Sequence, residues 1–151
     1  MSQETWDQYF LGIAQLVSLK SKDRSTKVGA VIVGPDNEIR STGYNGFPRG
    51  LNDEAEHRHE RPAKYMYTEH AERNAIFNAA MHGIPLKGCT MYINFSLFPC
   101  TDCTRALIQS GIVAVVGVKG KEFSGKGNHW LDNFKTAKEI FDEVGIVYRE
   151  V

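Results

Sequence analysis

Two short stretches of the chain hold residue types that can do chemistry at their spacing. TEHAERNAI (68–76) sets His70 and Glu72 two apart at the start of a helical pattern, and FPCTDC (98–103) sets Cys100 and Cys103 three apart. Residues three apart on a helix face one side, so both thiolates can converge on one cation. Pro99 suits the first helical turn, where its missing N–H costs nothing, and the positive end of that helix lowers thiol pKa. His70 would complete a three-ligand set, which leaves the fourth position of a tetrahedral zinc open to water, as in catalytic sites. Zinc brings the pKa of such a water from about 15.7 to roughly 7. Glu72 stands where it could move that proton to a leaving amine without ligating the metal. The competing reading, a structural clip, needs a fourth protein ligand, and the one spare cysteine, Cys89, opens a strand as a small buried residue would.

The surrounding elements must bring these two stretches together. Residues 3–20 repeat Trp6, Phe10, Ile13, Ala14 and Val17 at helical spacing. KVGAVIVG (27–34) and EIRSTGY (38–44), joined by the turn residues PDN, read as an antiparallel hairpin. NGFPRGLNDEAEHRHERPAK (45–64) lacks periodicity and reads as a long functional loop. From residue 69 a helix carries the stripe Ala71, Ala75, Ile76, Ala79 and Ala80, and stops at Gly83 and Pro85. CTMYINF (89–95) is a strand, 100–111 a helix begun by Pro99, and IVAVVGV (112–118) a buried strand. The loop KGKEFSGKGNH then leads to a helix over about 131–144 and a short strand, IVYRE. Alternating strands and helices predict an α/β sandwich with parallel crossovers and an antiparallel hairpin at one end, in one domain over residues 1–151.

Charge narrows the ligands. Eighteen Lys plus Arg balance eighteen Asp plus Glu, which argues against a nucleic-acid partner. No apolar run approaches a membrane span, and MSQETWDQYF has neither the basic nor the apolar region of a secretory signal, so a cytoplasmic protein is expected. A small phosphorylated ligand remains compatible. Arg24, Ser25, Thr26 and Lys27 form a basic and hydroxyl cluster suited to one phosphate.

H-x-E followed by P-C-x-x-C is the signature of the zinc nucleobase deaminases, and both halves stand here unsubstituted. More narrowly, STKVGAVIV, STGYNGFPRG, HAERNAI, GCTMYI, FPCTDC and LIQSGI resemble, in order, the successive blocks of the deoxycytidylate (dCMP) deaminases, with GYNG (43–46) the discriminating one. The resemblance implies a three-layer α/β/α sandwich of the cytidine deaminase type on a five-stranded mixed sheet. It implies hydrolysis of dCMP to dUMP and ammonia, supplying dUMP for thymidylate synthesis. One catalytic Zn2+ per subunit is implied, in a homohexamer activated by dCTP, with Mg2+ accompanying the triphosphate, and inhibited by dTTP.

Carried onto this chain, the resemblance makes His70, Cys100 and Cys103 zinc ligands and Glu72 the proton shuttle. It places Asn45 against the substrate's sugar, and Gly43, Tyr44, Asn45 and Gly46 in the effector region. The chain departs from relatives that build a second, structural zinc from cysteines before H-A-E, because residues 50–67 contain His57 and His59 but no cysteine. A second zinc of that type is therefore not expected. The rival readings are a tRNA adenosine or polynucleotide deaminase, a deaminase of a free base or nucleoside, and a non-catalytic zinc module. Balanced charge opposes the first, the phosphate cluster and GYNG oppose the second, and Glu72 opposes the third. Trp130 opens the last helix, where an aromatic is more often core than a lid over a base.

Overall fold

Five strands form one sheet in the order β2-β1-β3-β4-β5. The computed structural model describes residues 2–121 and 128–151. Most of the expected loop before the last helix lies outside them. β1 (Gly29–Val33) pairs antiparallel with β2 (Ile39–Tyr44) as the hairpin pattern predicts, and antiparallel with β3 (Thr90–Ile93). β3, β4 (Ala114–Gly117) and β5 (Val147–Glu150) are parallel. The crossovers between them are α4 (Thr101–Gln109) and α5 (Asn128–Val144).

Strand periodicity divides the core in two. Ala30, Ile32, Met91, Ile93 and Val115 face a cluster with Ala71, Ala75, Ala79, Leu107 and Phe141, from α3 (Ala71–Met81), α4 and α5. Val31, Val33, Tyr92 and Val116 face Phe10, Leu11 and Ala14 of α1 (Gln3–Ser18). This is the expected α/β/α sandwich, with α1 alone on one face among the described helices. The α1 layer is also pinned by charge. The buried Asp7 carboxylate accepts from Arg149 of β5 twice and from Tyr92 of β3 once, each at 2.7 Å.

On the opposite face, α3 lies directly on edge strand β2. Ser41 Oγ donates to the Ala75 carbonyl at 2.7 Å, Asn78 Nδ2 to the Thr42 carbonyl at 2.7 Å, and Asn74 Nδ2 to the Tyr44 carbonyl at 2.8 Å. The approach is close enough that a Cβ on Gly43 would sit 2.3 Å from the Ala75 nitrogen. Small side chains explain it: Ala71, Ala75 and Ala79 are fully buried, while Ala80, which the stripe also included, is exposed.

The 45–64 segment remains irregular apart from a 3-10 turn (Glu56–Arg58), and it ends in the one-turn helix α2 (Lys64–Tyr67). Gly46 and Glu69 exchange backbone hydrogen bonds of 3.1 and 2.8 Å, tying the start of this segment to the residue before His70.

Candidate active site

α3 and α4 start at the same end of the sheet, where β3 finishes, and each begins with a candidate metal ligand. His70 is the N-cap of α3 and Cys100 the N-cap of α4. Pro99 therefore precedes the cap and does not occupy the first helical turn, a correction to the sequence reading. The difference matters electrostatically, because the extended Cys100 points its sulfur back at the helix end and accepts the Cys103 N–H at 3.4 Å. Two helix N-termini thus direct partial positive charge at the thiols.

His70 Nδ1 lies 3.3 Å from Cys100 Sγ and 3.5 Å from Cys103 Sγ. Zinc bonds of about 2.3 Å to sulfur and 2.0–2.1 Å to nitrogen at tetrahedral angles require ligand atoms roughly 3.6 Å apart, so the trio fits that ion. Among the described residues it is the group of His, Cys, Asp or Glu side chains whose atoms converge closely enough to hold a metal. Glu72, 8% exposed, brings Oε2 to 3.7 Å from Cys103 Sγ, beside the trio.

The protein groups set one another's protonation. Hydrogen bonding from Cys103, then from His70, lowers the Cys100 thiol to about 4, while the bond to Cys100 lifts His70 to about 9. The same Cys100 contact and then burial push Cys103 up. Burial also raises Glu72 above the ordinary carboxylate range. Metal binding needs neutral imidazole and both thiolates, so it competes with protons.

A cavity of about 300 Å³ opens onto His70, Glu72 and Cys100. Its apolar wall includes Tyr65, Phe95, Phe98, Trp130 and Phe134, and its polar wall includes Asp23, Thr26, Asn45, Lys64, Thr68 and Asn133. Trp130, expected more often as core, thus faces the cavity, with its ring 6.3 Å from Tyr65 and 6.0 Å from Phe134.

The phosphate cluster is dispersed. Thr26 lines the cavity, but Arg24 forms a bidentate pair with Glu56 at 2.7 and 2.9 Å, and Ser25 and Lys27 are exposed away from it. Asn45 lines the cavity too, yet its amide already accepts from Val28 N and donates to the Thr26 carbonyl, both at 2.9 Å. It shapes the wall beside any contact it makes. Of GYNG, Tyr44, Asn45 and Gly46 border a second cavity of about 180 Å³ with Lys20, Lys22, Arg58 and His59, while Gly43 sits under α3. His59 packs on Phe47 at 4.9 Å and His57 is exposed.

Several wall residues escaped the sequence reading. Asp23 caps the N–H groups of Ser25 and Thr26 at 2.8 and 2.9 Å and pairs with Lys64 at 3.0 Å. The D-x-S-T pattern of an Asx turn was its available signal. Asn133 of α5 accepts the Thr101 N–H at 2.7 Å and so secures the first turn of α4. No local pattern announces a contact across 32 residues.

A His/Cys/Cys metal site fed by two helix N-termini, with a buried carboxylate beside it, on a β2-β1-β3-β4-β5 mixed sheet, defines a zinc-dependent hydrolase of the deaminase class. The family described as cytidine and deoxycytidylate deaminase zinc-binding region matches residues 4–119, and the chain belongs to it. It is 37% identical over 152 residues to a human deoxycytidylate deaminase, covering 96% of this chain and 79% of that one. The Pongo abelii deoxycytidylate deaminase is likewise 37% identical, over 150 residues, with the same coverage. The fold matches that of the dCMP deaminase from the cyanophage S-TIM5 in complex with dCMP and dUMP, with a TM-score of 0.76, 24% identity, and 100% and 99% of the two chains covered. The resemblance read from the motif blocks therefore holds. No described helix is long and apolar enough to cross a membrane.

Proposed function

We propose that this chain hydrolyses dCMP to dUMP and ammonia. The observation that carries the reading is the placement of buried Glu72 beside the His70, Cys100 and Cys103 trio at the floor of a cavity sized for one small ligand. Zinc held by those three residues would lower the pKa of a water and polarise it for attack at C4 of the cytosine ring. Glu72 takes one proton from the attacking water and delivers it to the ring nitrogen N3, then takes the second proton from the hydroxyl added at C4 and delivers it to the amine, which leaves as ammonia as the C4 carbonyl forms. Its raised pKa suits a group that must both accept and donate. The aromatic wall offers ring faces against which the base can stack.

Regulation is part of the reading. The second cavity, bordered by Tyr44, Asn45 and Gly46, holds Lys20 and Arg58, neither in an ion pair among the described residues, beside the Lys22–Asp53 pair, and shares Asp23, Asn45, Lys64 and Thr68 with the first. A cationic cavity sharing a wall with the catalytic one suits a nucleoside triphosphate, so we assign it to dCTP with Mg2+ as activator and to dTTP as inhibitor. The assembly proposed is a homohexamer in the cytoplasm, a compartment that suits three buried cysteines without a disulfide among them.

The test is hydrolysis of dCMP, CMP, deoxycytidine and cytosine, followed by ultraviolet absorbance, each with and without dCTP plus Mg2+ or dTTP. Turnover confined to dCMP, raised by dCTP and lowered by dTTP, is expected. Turnover confined to unphosphorylated substrates would overturn the substrate assignment.

A further inference from the structure

Resting on the reading that the substrate carries a 5′-phosphate, we propose that Arg61 is the residue that recognises it and makes the enzyme specific for the nucleotide over the nucleoside. A phosphate dianion in a small cavity needs a cation whose charge is not already spent. Arg24 is committed to Glu56 by two hydrogen bonds and lies outside the catalytic cavity. Lys22 is paired with Asp53 at 3.1 Å and borders only the second cavity of the two. Lys64 does line the catalytic cavity, but its ammonium is 3.0 and 3.1 Å from the two Asp23 oxygens, with the side chains only 13% and 7% exposed. Freeing Lys64 would leave a buried carboxylate unbalanced. Arg61 lines the same cavity and, among the described residues, has no ion pair or side-chain hydrogen bond.

The remaining charge on that wall points the same way. Asp102, also on the cavity, is matched by Arg105 one turn along α4. The unbalanced positive charge on the lining is therefore the guanidinium of Arg61, whose fork suits two phosphate oxygens at once. Burial orders the ligand. Glu72 and Cys100 are each 8% exposed, whereas Arg61 is exposed at the rim. The neutral base goes to the enclosed end, and the dianion stays at the mouth, where desolvation costs least. Thr26 and Thr68 also line this cavity.

The experiment compares zinc-loaded wild type with Arg61→Gln, Arg61→Lys and Arg24→Gln on dCMP and on deoxycytidine. Arg61→Gln is expected to lower kcat/KM for dCMP by about 10- to 100-fold, the range for losing one charge-assisted pair. The loss should sit in KM, with kcat/KM for deoxycytidine unchanged and Arg61→Lys restoring part of the preference. A parallel fall on both substrates would mark Arg61 as structural and overturn the assignment. So would a dCMP preference that survives Arg61→Gln and collapses in Arg24→Gln. A wild-type enzyme equally fast on dCMP and deoxycytidine would instead refute the nucleotide reading itself, and this assignment with it.

Discussion

Gly43→Ala tests whether the GYNG block is partly a packing device, and its size can be worked from distances. The added Cβ would lie 2.3 Å from Ala75 N and 2.5 Å from Ala71 O, against an ordinary contact of 3.4 Å or more. Both neighbours are backbone, which cannot rotate aside, so the start of α3 must retreat by about 1 Å, and overpacking of this kind costs about 1–3 kcal/mol. For a chain of this length that is a Tm lower by about 2–12 °C. The same retreat displaces His70 and Glu72, which α3 carries at its start, and a 1 Å misplacement of reacting groups costs about 10²-fold in rate. Gly46 is the internal control, since a Cβ there meets nothing within 4 Å. The assay is thermal unfolding with kcat/KM on dCMP for both variants. Gly43→Ala should lose stability and activity together, while Gly46→Ala should keep its Tm within about 2 °C, as surface changes do. A Gly43→Ala enzyme with wild-type Tm and turnover would refute the close-packing argument.

Glu72→Gln should keep zinc, by elemental analysis, but lose at least ~10²-fold in kcat, as removal of a general acid/base group does; near-normal turnover would remove Glu72 from the chemistry. Cys103→Ala should reduce bound zinc to trace levels after dialysis, and full occupancy would show that the ligand set is wrong. Asp7→Asn should cost about 2–4 kcal/mol at neutral pH by denaturant titration, because Arg149 loses its counter-charge but is itself partly solvated. Burial alone would raise Asp7, yet hydrogen bonds from Arg149, Tyr92 and Gln3 outweigh it and hold the carboxyl below its usual 3.8. Its contribution is therefore full above about pH 4 and lost as acid passes through the lower folded value, so the gap between variant and wild type should close below pH 4. A gap independent of pH would mean packing, not charge, anchors α1.

The elements were legible where one period dominated. Phe10 and Ala14 mark the buried stripe of α1, β-branched runs mark β1 and β4, and H-x-E with C-x-x-C marks the metal trio, because each is a local pattern. Helix starts were less legible: His70 and Cys100 are caps whose backbone is extended, a geometry that spacing does not separate from the first helical turn. The cavity wall was hardest to read. Arg24 and Arg61 look alike in composition, and only the fold shows that one is bound by Glu56 while the other borders the metal cavity. Asn45, expected against the sugar, lines the cavity, but its amide is occupied by the 26–28 backbone, a contact across 17 and 19 residues that no motif encodes.

The most direct test of the central claim is hydrolysis of dCMP by protein stripped of metal with a chelator and then reloaded with one equivalent of zinc, with dUMP and ammonia both quantified. Silence after stripping, recovery on reloading, and one ammonia for each dUMP are expected. Undiminished turnover by the stripped protein, or none after reloading with zinc bound in full, would contradict that claim.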